Sequence, residues 1–271
     1  MGKEAVLPFT KLVNLLLAKP ALALLALVHI QPESAQYPIP NYLAMEILLF
    51  IVLGIFFLWL RSRISVDRPG GAQQSMEMVL TNQMGIGVKD LIDDVVGHGA
   101  ERHLPIMGTI AIFILAANML ALIPGLMSPT ADKAVPLGCA TLVFIYYNMY
   151  GIRKHGGGGY AKTLLGPVPA ISPIMLVVET VSHFARILSL TIRLYANMMV
   201  SELIYLSFLG LTMGLFVFVS GKNPVGYITA VVPVGVPLAL SLFHVFEAFL
   251  QAFIFVILAI IYLGTAVAEE H

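Results

Sequence analysis

Polar side chains recur at helical spacing inside an apolar stretch that runs from Glu179 to Glu202. Glu202 comes nine residues after Arg193, which places it on roughly the opposite face of a helix at about 100° per residue. A charged side chain at the centre of a membrane span costs about 2.5–3.5 kcal/mol on insertion scales, so such groups persist where they face protein, water or a moving ion. The stretch is therefore predicted to carry ion chemistry. Its polar residues at three- or four-residue spacing share one helical face: Glu179, Ser182, Arg186, Ser189, Arg193 and Asn197.

A second polar row lies in the apolar run near the C-terminus, again at three- or four-residue spacing: Ser241, His244, Glu247 and Gln251. An antiparallel hairpin that turns near Asn223 would bring this row opposite the first one. A carboxylate beside an imidazole inside a membrane suits proton relay, because each can hold or release a proton near neutral pH. We therefore predict one intramembrane polar cluster, with Arg193 nearby, formed by Asn197, Glu202, His244, Glu247 and Gln251.

Some members of this cluster have an equally good structural interpretation. His244 is as well explained as a hydrogen-bonded core histidine, and Glu247 as its structural partner. Arg193 differs, because a guanidinium keeps its charge and cannot relay a proton. No acidic residue lies three or four positions from Arg193, so its anionic partner is expected on another chain. A fixed cation in a proton path attracts a passing carboxylate, favours its ionised form and blocks leakage between two aqueous routes.

The composition defines the class of protein. Hydrophobic residues make up 59% of the 271 residues and charged residues only 11%, with a mean hydropathy of +0.91, as in a polytopic helical membrane protein. A net charge of zero gives no basic surface for nucleic acid. The single cysteine, Cys139, excludes intrachain disulfides and cysteine-cluster metal sites. We expect neither metal nor cofactor, since His244 and Glu247 lack further converging ligands and the glycines at 156–159 lack the context of a phosphate loop.

The apolar runs predict an all-α polytopic membrane fold of about five membrane helices plus an amphipathic interfacial helix. Residues 1–36 form an N-terminal segment of uncertain role, because the 11-residue run Pro20–Ile30 suits either a signal-peptide core or an interfacial helix. Residues 37–271 form the membrane domain. The amphipathic helix is predicted over Gln73–Val96 and a flexible glycine turn over Gly156–Gly159. The predicted spans are Tyr42–Leu60, His103–Pro124, Ala134–Tyr150, Pro173 to about Val219, and about Tyr227 to Ala266.

The last two helices are unusually long. Each measures about 60–70 Å at 1.5 Å per residue, against a hydrocarbon core of about 30 Å, so they are predicted to form a steeply tilted hairpin, bent in its second arm at Pro233 and Pro237. A break near Gly210 is the alternative. The arginines after the first span, Arg61 and Arg63 among them, predict that this loop is cytoplasmic and that the N-terminal side faces outward.

Several motifs resemble subunit a of the F-type ATP synthase membrane sector. They are LSLTIRLYANMMVSELI, FLQAFIFVILAIIYL, NMLALIPGLMSPTAD, PGGAQQSMEMV and the terminal EEH, and they cover nearly everything from Tyr37 to His271. The resemblance implies that Arg193 is the essential stator arginine. It also implies an outer half-channel lined by Asn197, Glu202, His244 and Gln251, and a cytoplasmic half-channel near Glu179, Ser182 and Ser189. This chain departs from the family pattern at Ala196, Ser201, Arg186 and Glu247, which leaves the role of Glu247 open.

The resemblance further implies function and partners. The chain would be the proton-translocating stator subunit of a rotary ATP synthase, with no nucleotide site of its own. Its partners would be the ring of c subunits, the b-subunit stalk, the other synthase subunits and membrane lipid, in the bacterial inner membrane. A proton-coupled secondary transporter is the alternative, although no inverted repeat is visible. A sodium-driven version of the same complex also stays open, as do the ring stoichiometry and the direction of operation.

Overall fold

A computed structural model describes residues 6–27, 36–65, 69–81, 87–97, 99–123, 125–165, 172–220 and 231–267. All regular elements within these ranges are helical, and two short 3-10 helices, Ala100–His103 and Pro129–Ala131, accompany the α-helices. The α-helices are α1 (Pro8–Leu27), α2 (Asn41–Arg63), α3 (Gly71–Leu80), α4 (Val88–Val96), α5 (Leu104–Leu120), α6 (Ala134–Leu165), α7 (Ser172–Ser220) and α8 (Val231–Val267).

Within the described ranges, six helical segments are long and apolar enough to cross a membrane. This confirms the predicted all-α polytopic membrane fold. Many of their large apolar side chains are exposed, including Phe50 at 64% and Leu242 at 73%, as lipid-facing residues are. The six segments are Pro8–Leu27, Asn41–Arg63, Glu101–Leu120, Ala134–Tyr160, Ser172–Gly214 and Leu238–Val267.

The chain divides into two compact units. Unit 1 comprises Met1–Phe56, Leu115–Asp132 and Ala196–Phe249. Unit 2 comprises Phe57–Ile114, Lys133–Tyr195 and Leu250–His271. Helices α2, α5, α7 and α8 each contribute residues to both units.

Helix α1 of unit 1 begins twelve residues before the apolar run that the sequence singles out. The buried Asn14 side chain joins it to the segment before α2: Asn14 Nδ2 donates to the Ile39 carbonyl oxygen and the Ile39 N–H donates to Asn14 Oδ1, both at 2.9 Å. Val13, Ile39 and Ala44 form a small core beside this pair. An amide side chain that satisfies a backbone N–H and C=O together fixes α1 against the start of α2. The role of residues 1–36 stays a prediction.

The prediction of one amphipathic helix over 73–96 is wrong. Helix α3 ends at Leu80, where Thr81 adopts φ −141° and ψ 67° and donates both its N–H and its hydroxyl to the Glu77 carbonyl oxygen. These dihedral angles are not helical, so the α-helix cannot continue through Thr81. Helix α4 then starts after the extended Gly87 and buries Val88 and Ile92 in unit 2.

The predicted four-glycine turn at 156–159 is confined to a single residue. Helix α6 continues to Leu165, and only Gly156, at φ 73° and ψ 161°, leaves helical geometry. A positive φ favours glycine because it has no Cβ. Beyond this kink, Tyr160 packs back on Gly151, where a Cβ would contact the tyrosine ring, and its hydroxyl donates to Asn148 Oδ1 at 2.8 Å.

The two long helices match their predicted bounds closely where they are described. Helix α7 runs without interruption for 49 residues, so the alternative of a break near Gly210 is wrong. Helix α8 has 37 residues, and both the predicted turn near Asn223 and the predicted start at Tyr227 lie outside the described residues. Contacts inside each unit follow the antiparallel sense, with Ser201 on His244 in unit 1 and Arg186 on Thr265 in unit 2. The steep tilt and the bend at the two prolines stay predictions.

Candidate ion-path site

Arg193 lies at the midpoint of its membrane span, with 21 residues of Ser172–Gly214 on each side. Its side chain is exposed, whereas the neighbouring Leu190 and Leu194 are buried at 2% and 1% exposure. It forms no hydrogen bond or ion pair with any residue that the structure describes. The helix therefore presents an exposed guanidinium at the middle of its apolar span, with no compensating group among the described residues.

Arg186 lies seven residues earlier on α7 and has different surroundings. Its guanidinium lies over the Tyr262 ring, 5.0 Å from the centroid, and its Nη1 donates to Thr265 Oγ1 at 3.5 Å. The aromatic ring compensates the charge through a cation–π interaction. Arg186 is thus anchored on α8 within unit 2.

His244 forms a hydrogen bond in unit 1 with Ser201, the residue that precedes its predicted partner Glu202. Ser201 Oγ and His244 Nδ1 are 2.9 Å apart, which confirms the predicted hairpin register to within one residue of Glu202. His244 is only 3% exposed, and its Nε2 has no hydrogen-bond partner among the described residues. Buried polar atoms are usually hydrogen-bonded, so Nε2 is the position at which this ring can bind water or a further polar group.

The other predicted cluster members divide between the two units. Asn197, Glu202 and Glu247 are partly buried in unit 1, and the Oε2 atom of Glu247 is buried with no hydrogen-bond partner in the described part of the chain. Gln251 is 5% exposed and belongs to unit 2, as does Arg193. His244 and Glu247 are three residues apart on α8, so unit 1 carries an imidazole and a carboxylate on one helical face. The joint cluster with Arg193 and Gln251 stays a prediction.

The predicted cytoplasmic residues all lie on α7 in unit 2, with Glu179 and Ser182 partly buried and Ser189 exposed. The sequence interpretation omitted His183, whose Nδ1 is 2.9 Å from the hydroxyl of Tyr147 on α6. His183 follows Glu179 by four residues, so helical spacing alone could have indicated it. No sequence signal pointed to Tyr147, because its contact depends on how α6 packs.

Across the described ranges, no three His, Cys, Asp or Glu side chains are grouped to hold a metal ion.

Comparison with known proteins gives a consistent result. The sequence profile of the family described as ATP synthase A chain matches residues 42–264. ATP synthase subunit a of Koribacter versatilis (strain Ellin345) is 39% identical over 263 residues, which cover 97% of each chain. ATP synthase subunit a of Solibacter usitatus (strain Ellin6076) is 39% identical over 249 residues, 92% of this chain and 95% of the relative. The protein of the same name from Geotalea uraniireducens (strain Rf4) is 36% identical over 203 residues, 75% of this chain and 77% of the relative.

The matched region contains every predicted site residue on α7 and α8. Since the profile spans most of the chain and the first two relatives align nearly end to end, this chain belongs to the family of ATP synthase subunit a.

Proposed function

We propose that this chain is the proton-translocating stator subunit of the membrane sector of an F-type ATP synthase. In this proposal two offset half-channels carry protons to and from carboxylates on a rotating ring of c subunits. Arg193 separates the half-channels and couples proton flow to rotation. Family membership supports the complex, and the geometry of the long helices supports the roles of the residues.

The observation that carries the proposal is the environment of Arg193. It is an exposed guanidinium at the centre of a membrane span, without a partner among the described residues, while Arg186 on the same helix is compensated. A charge in that position needs an anionic partner from another subunit. A ring carboxylate that passes the face of α7 supplies that partner and is held ionised while it lies beside the guanidinium.

The proposed outer half-channel combines polar groups of α7 and α8. A proton entering from outside passes along Asn197, Glu202, His244, Glu247 and Gln251 to a ring carboxylate. His244 accepts it at Nε2, the nitrogen that does not face Ser201. The two amides hydrogen-bond water and carboxylates without titrating.

After almost a full turn, the protonated carboxylate meets the cytoplasmic half-channel near Glu179, Ser182 and Ser189 and releases its proton there. Each charge that crosses the membrane contributes about 2.3 kcal/mol per 100 mV, which drives the ring. Synthesis takes place in the attached soluble head, and this subunit has no nucleotide site of its own.

The proposed partners are the c ring, the b-subunit stalk, the remaining synthase subunits and membrane lipid. The proposed location is the bacterial inner membrane, with the side that precedes α2 facing outward. The alternative of a secondary transporter receives no support from the family match.

The test is ATP-driven proton pumping in inverted vesicles that carry Arg193→Ala, with assembly and ATP hydrolysis measured in parallel. We expect an assembled complex whose pumping is below detection, because no fixed cation then opposes the carboxylate. Arg61→Ala is the matched control, since Arg61 is exposed in the last turn of α2, and it should pump as the wild type does. Pumping that persists in Arg193→Ala would refute the half-channel mechanism.

A further inference from the structure

A second histidine in unit 2 lies in a cluster of aromatic side chains from α6, α7 and α8. Tyr147 hydrogen-bonds His183 Nδ1 at 2.9 Å and stacks on the imidazole, with the ring centroids 5.8 Å apart and the planes 20° apart. Phe144 packs edge-on against both rings, at 5.5 Å from Tyr147 and 6.3 Å from His183. Tyr262 lies 6.2 Å from Tyr147. We call these four side chains, together with Arg186 over the Tyr262 ring, the His183 cluster.

The two partners in the hydrogen bond differ in exposure. Tyr147 is fully buried at 1% exposure, whereas His183 is only partly buried. Stacking and the bond at Nδ1 therefore fix the ring plane, while the imidazole retains accessible surface. A histidine that only fills a core would be buried on all sides with both nitrogens committed.

The groups around His183 suit a residue that gains and loses a proton. On α7, Glu179 precedes it by one turn and Arg186 follows it by one turn. Arg186 is held on α8 by Tyr262 and Thr265, so its charge stays in place. The titratable group that faces His183 from α6 is Tyr147, and the one from α8 is Tyr262. Tyr160, also on α6, hydrogen-bonds Asn148, the residue after Tyr147. The carboxylate favours the protonated imidazole, whereas the fixed cation opposes it.

We propose that His183 is a proton-holding residue of the cytoplasmic half-channel and that Tyr147 is its positioning residue. This inference rests on the proposed function above. In the tautomer in which Nδ1 donates to the Tyr147 oxygen, Nε2 carries the free lone pair. Nε2 takes one proton from channel water, forming an imidazolium, and returns the same proton to water or to the Glu179 carboxylate. The Nδ1–H bond is unchanged throughout, so Tyr147 gains and loses nothing.

The experiment measures the initial rate of ATP-driven pumping in inverted vesicles as the outer pH, which is the cytoplasmic side, is varied between about 6 and 8, the range in which histidine titrates. His183→Gln keeps a hydrogen-bonding group but cannot titrate. We expect this variant to pump within about twofold of the wild type at the acidic end and about tenfold more slowly at the alkaline end, where water supplies few protons. His155→Gln, which changes a histidine of α6 outside the cluster, should follow the wild-type profile at every pH.

A His183→Gln profile that superimposes on the wild type after scaling would overturn the inference. Tyr147→Phe provides the second measurement: it keeps the ring and removes the hydroxyl, and it should displace the pH profile without abolishing it. An unchanged profile in Tyr147→Phe would remove Tyr147 from the mechanism. Arg193→Ala in the same preparations separates the two proposals. If Arg193→Ala still pumps, the proposed function fails. If Arg193→Ala does not pump and His183→Gln leaves the pH profile unchanged, only the present inference fails.

Discussion

Two arginines lie seven residues apart on α7, and their guanidinium groups have opposite surroundings. Arg186 rests over the Tyr262 ring and reaches Thr265 on α8. Arg193 is exposed at the middle of the span and forms no hydrogen bond, ion pair or ring contact with a described residue. Seven residues are about two helical turns, so both arginines lie on nearly the same face of α7. Their surroundings differ because α8 side chains pack against Arg186. An arginine in a membrane span is structural where the fold compensates it, and is a candidate for function where compensation must come from elsewhere.

The largest expected effect on stability comes from disturbing the helix on which Arg186 is anchored. Gly264 precedes Thr265 on α8, and a Cβ at Gly264 would collide with the Val95 side chain of α4 and lie 3.2 Å from its carbonyl oxygen. We expect Gly264→Ala to destabilise the protein by about 1–3 kcal/mol, because overpacking displaces the neighbouring backbone. Denaturation of the detergent-solubilised complex in increasing SDS measures this change.

Gly210→Ala on α7 is the matched control, because nothing lies within 4 Å of the added Cβ. Alanine there should stabilise the helix by about 0.5–1 kcal/mol. Equal effects of the two substitutions would mean that α8 and α4 do not approach each other as described.

The next effect compares the two arginines directly. We expect Arg186→Ala to cost about 0.5–2 kcal/mol of stability, the range of a cation–π interaction, since a hydrogen bond of 3.5 Å adds little. Arg193→Ala should cause no loss of stability, because the side chain forms no hydrogen bond, ion pair or ring contact with a described residue and the substitution removes an uncompensated charge. Unfolding of both variants in SDS, side by side, is the measurement. A larger loss in Arg193→Ala than in Arg186→Ala would reverse the assignment of anchored and functional arginine.

The smallest effect concerns the Ser201–His244 pair, in which the imidazole is fixed at one nitrogen only. A double-mutant cycle with Ser201→Ala and His244→Gln should give a coupling free energy of about 0.5–1.5 kcal/mol. Ser207→Ala is the control, since Ser207 Oγ donates to the carbonyl of Leu203 on its own helix. Its effect should add to that of His244→Gln within about 0.3–0.5 kcal/mol. A coupling that vanishes for Ser201 would show that this hydrogen bond does not position His244.

Much of the fold could be predicted from the sequence, because apolar length and helical period determine it directly. Helix α7 begins one residue before the predicted Pro173 and ends one residue after the predicted Val219. The predicted hairpin register places His244 opposite Glu202, and the observed hydrogen-bond partner is the adjacent Ser201. An antiparallel pair leaves few alternatives once a turn position is assumed. The predicted helix over 73–96 was wrong because its amphipathic period continues past Thr81, where the backbone leaves helical geometry.

The site was less accessible to sequence reasoning. Spacing along α7 indicates which polar residues share a face, but it does not distinguish a compensated arginine from an exposed one. That distinction depends on Tyr262, which is distant in sequence and reads as an ordinary aromatic residue of an apolar helix. The partnership of His183 with Tyr147 was hidden for the same reason, because it forms only when α6 packs beside α7.

The most direct test of the central claim is the passive proton leak of intact complexes whose soluble head is locked by a non-hydrolysable nucleotide. Rotation is then blocked, so a wild-type vesicle should hold an imposed proton gradient, and Arg186→Ala should hold it equally well. We predict that Arg193→Ala dissipates the gradient about tenfold faster or more, which corresponds to removing a barrier of at least about 1.4 kcal/mol between the half-channels. Vesicles with Arg193→Ala that remain as tight as the wild type would contradict the claim that this guanidinium separates the two proton routes.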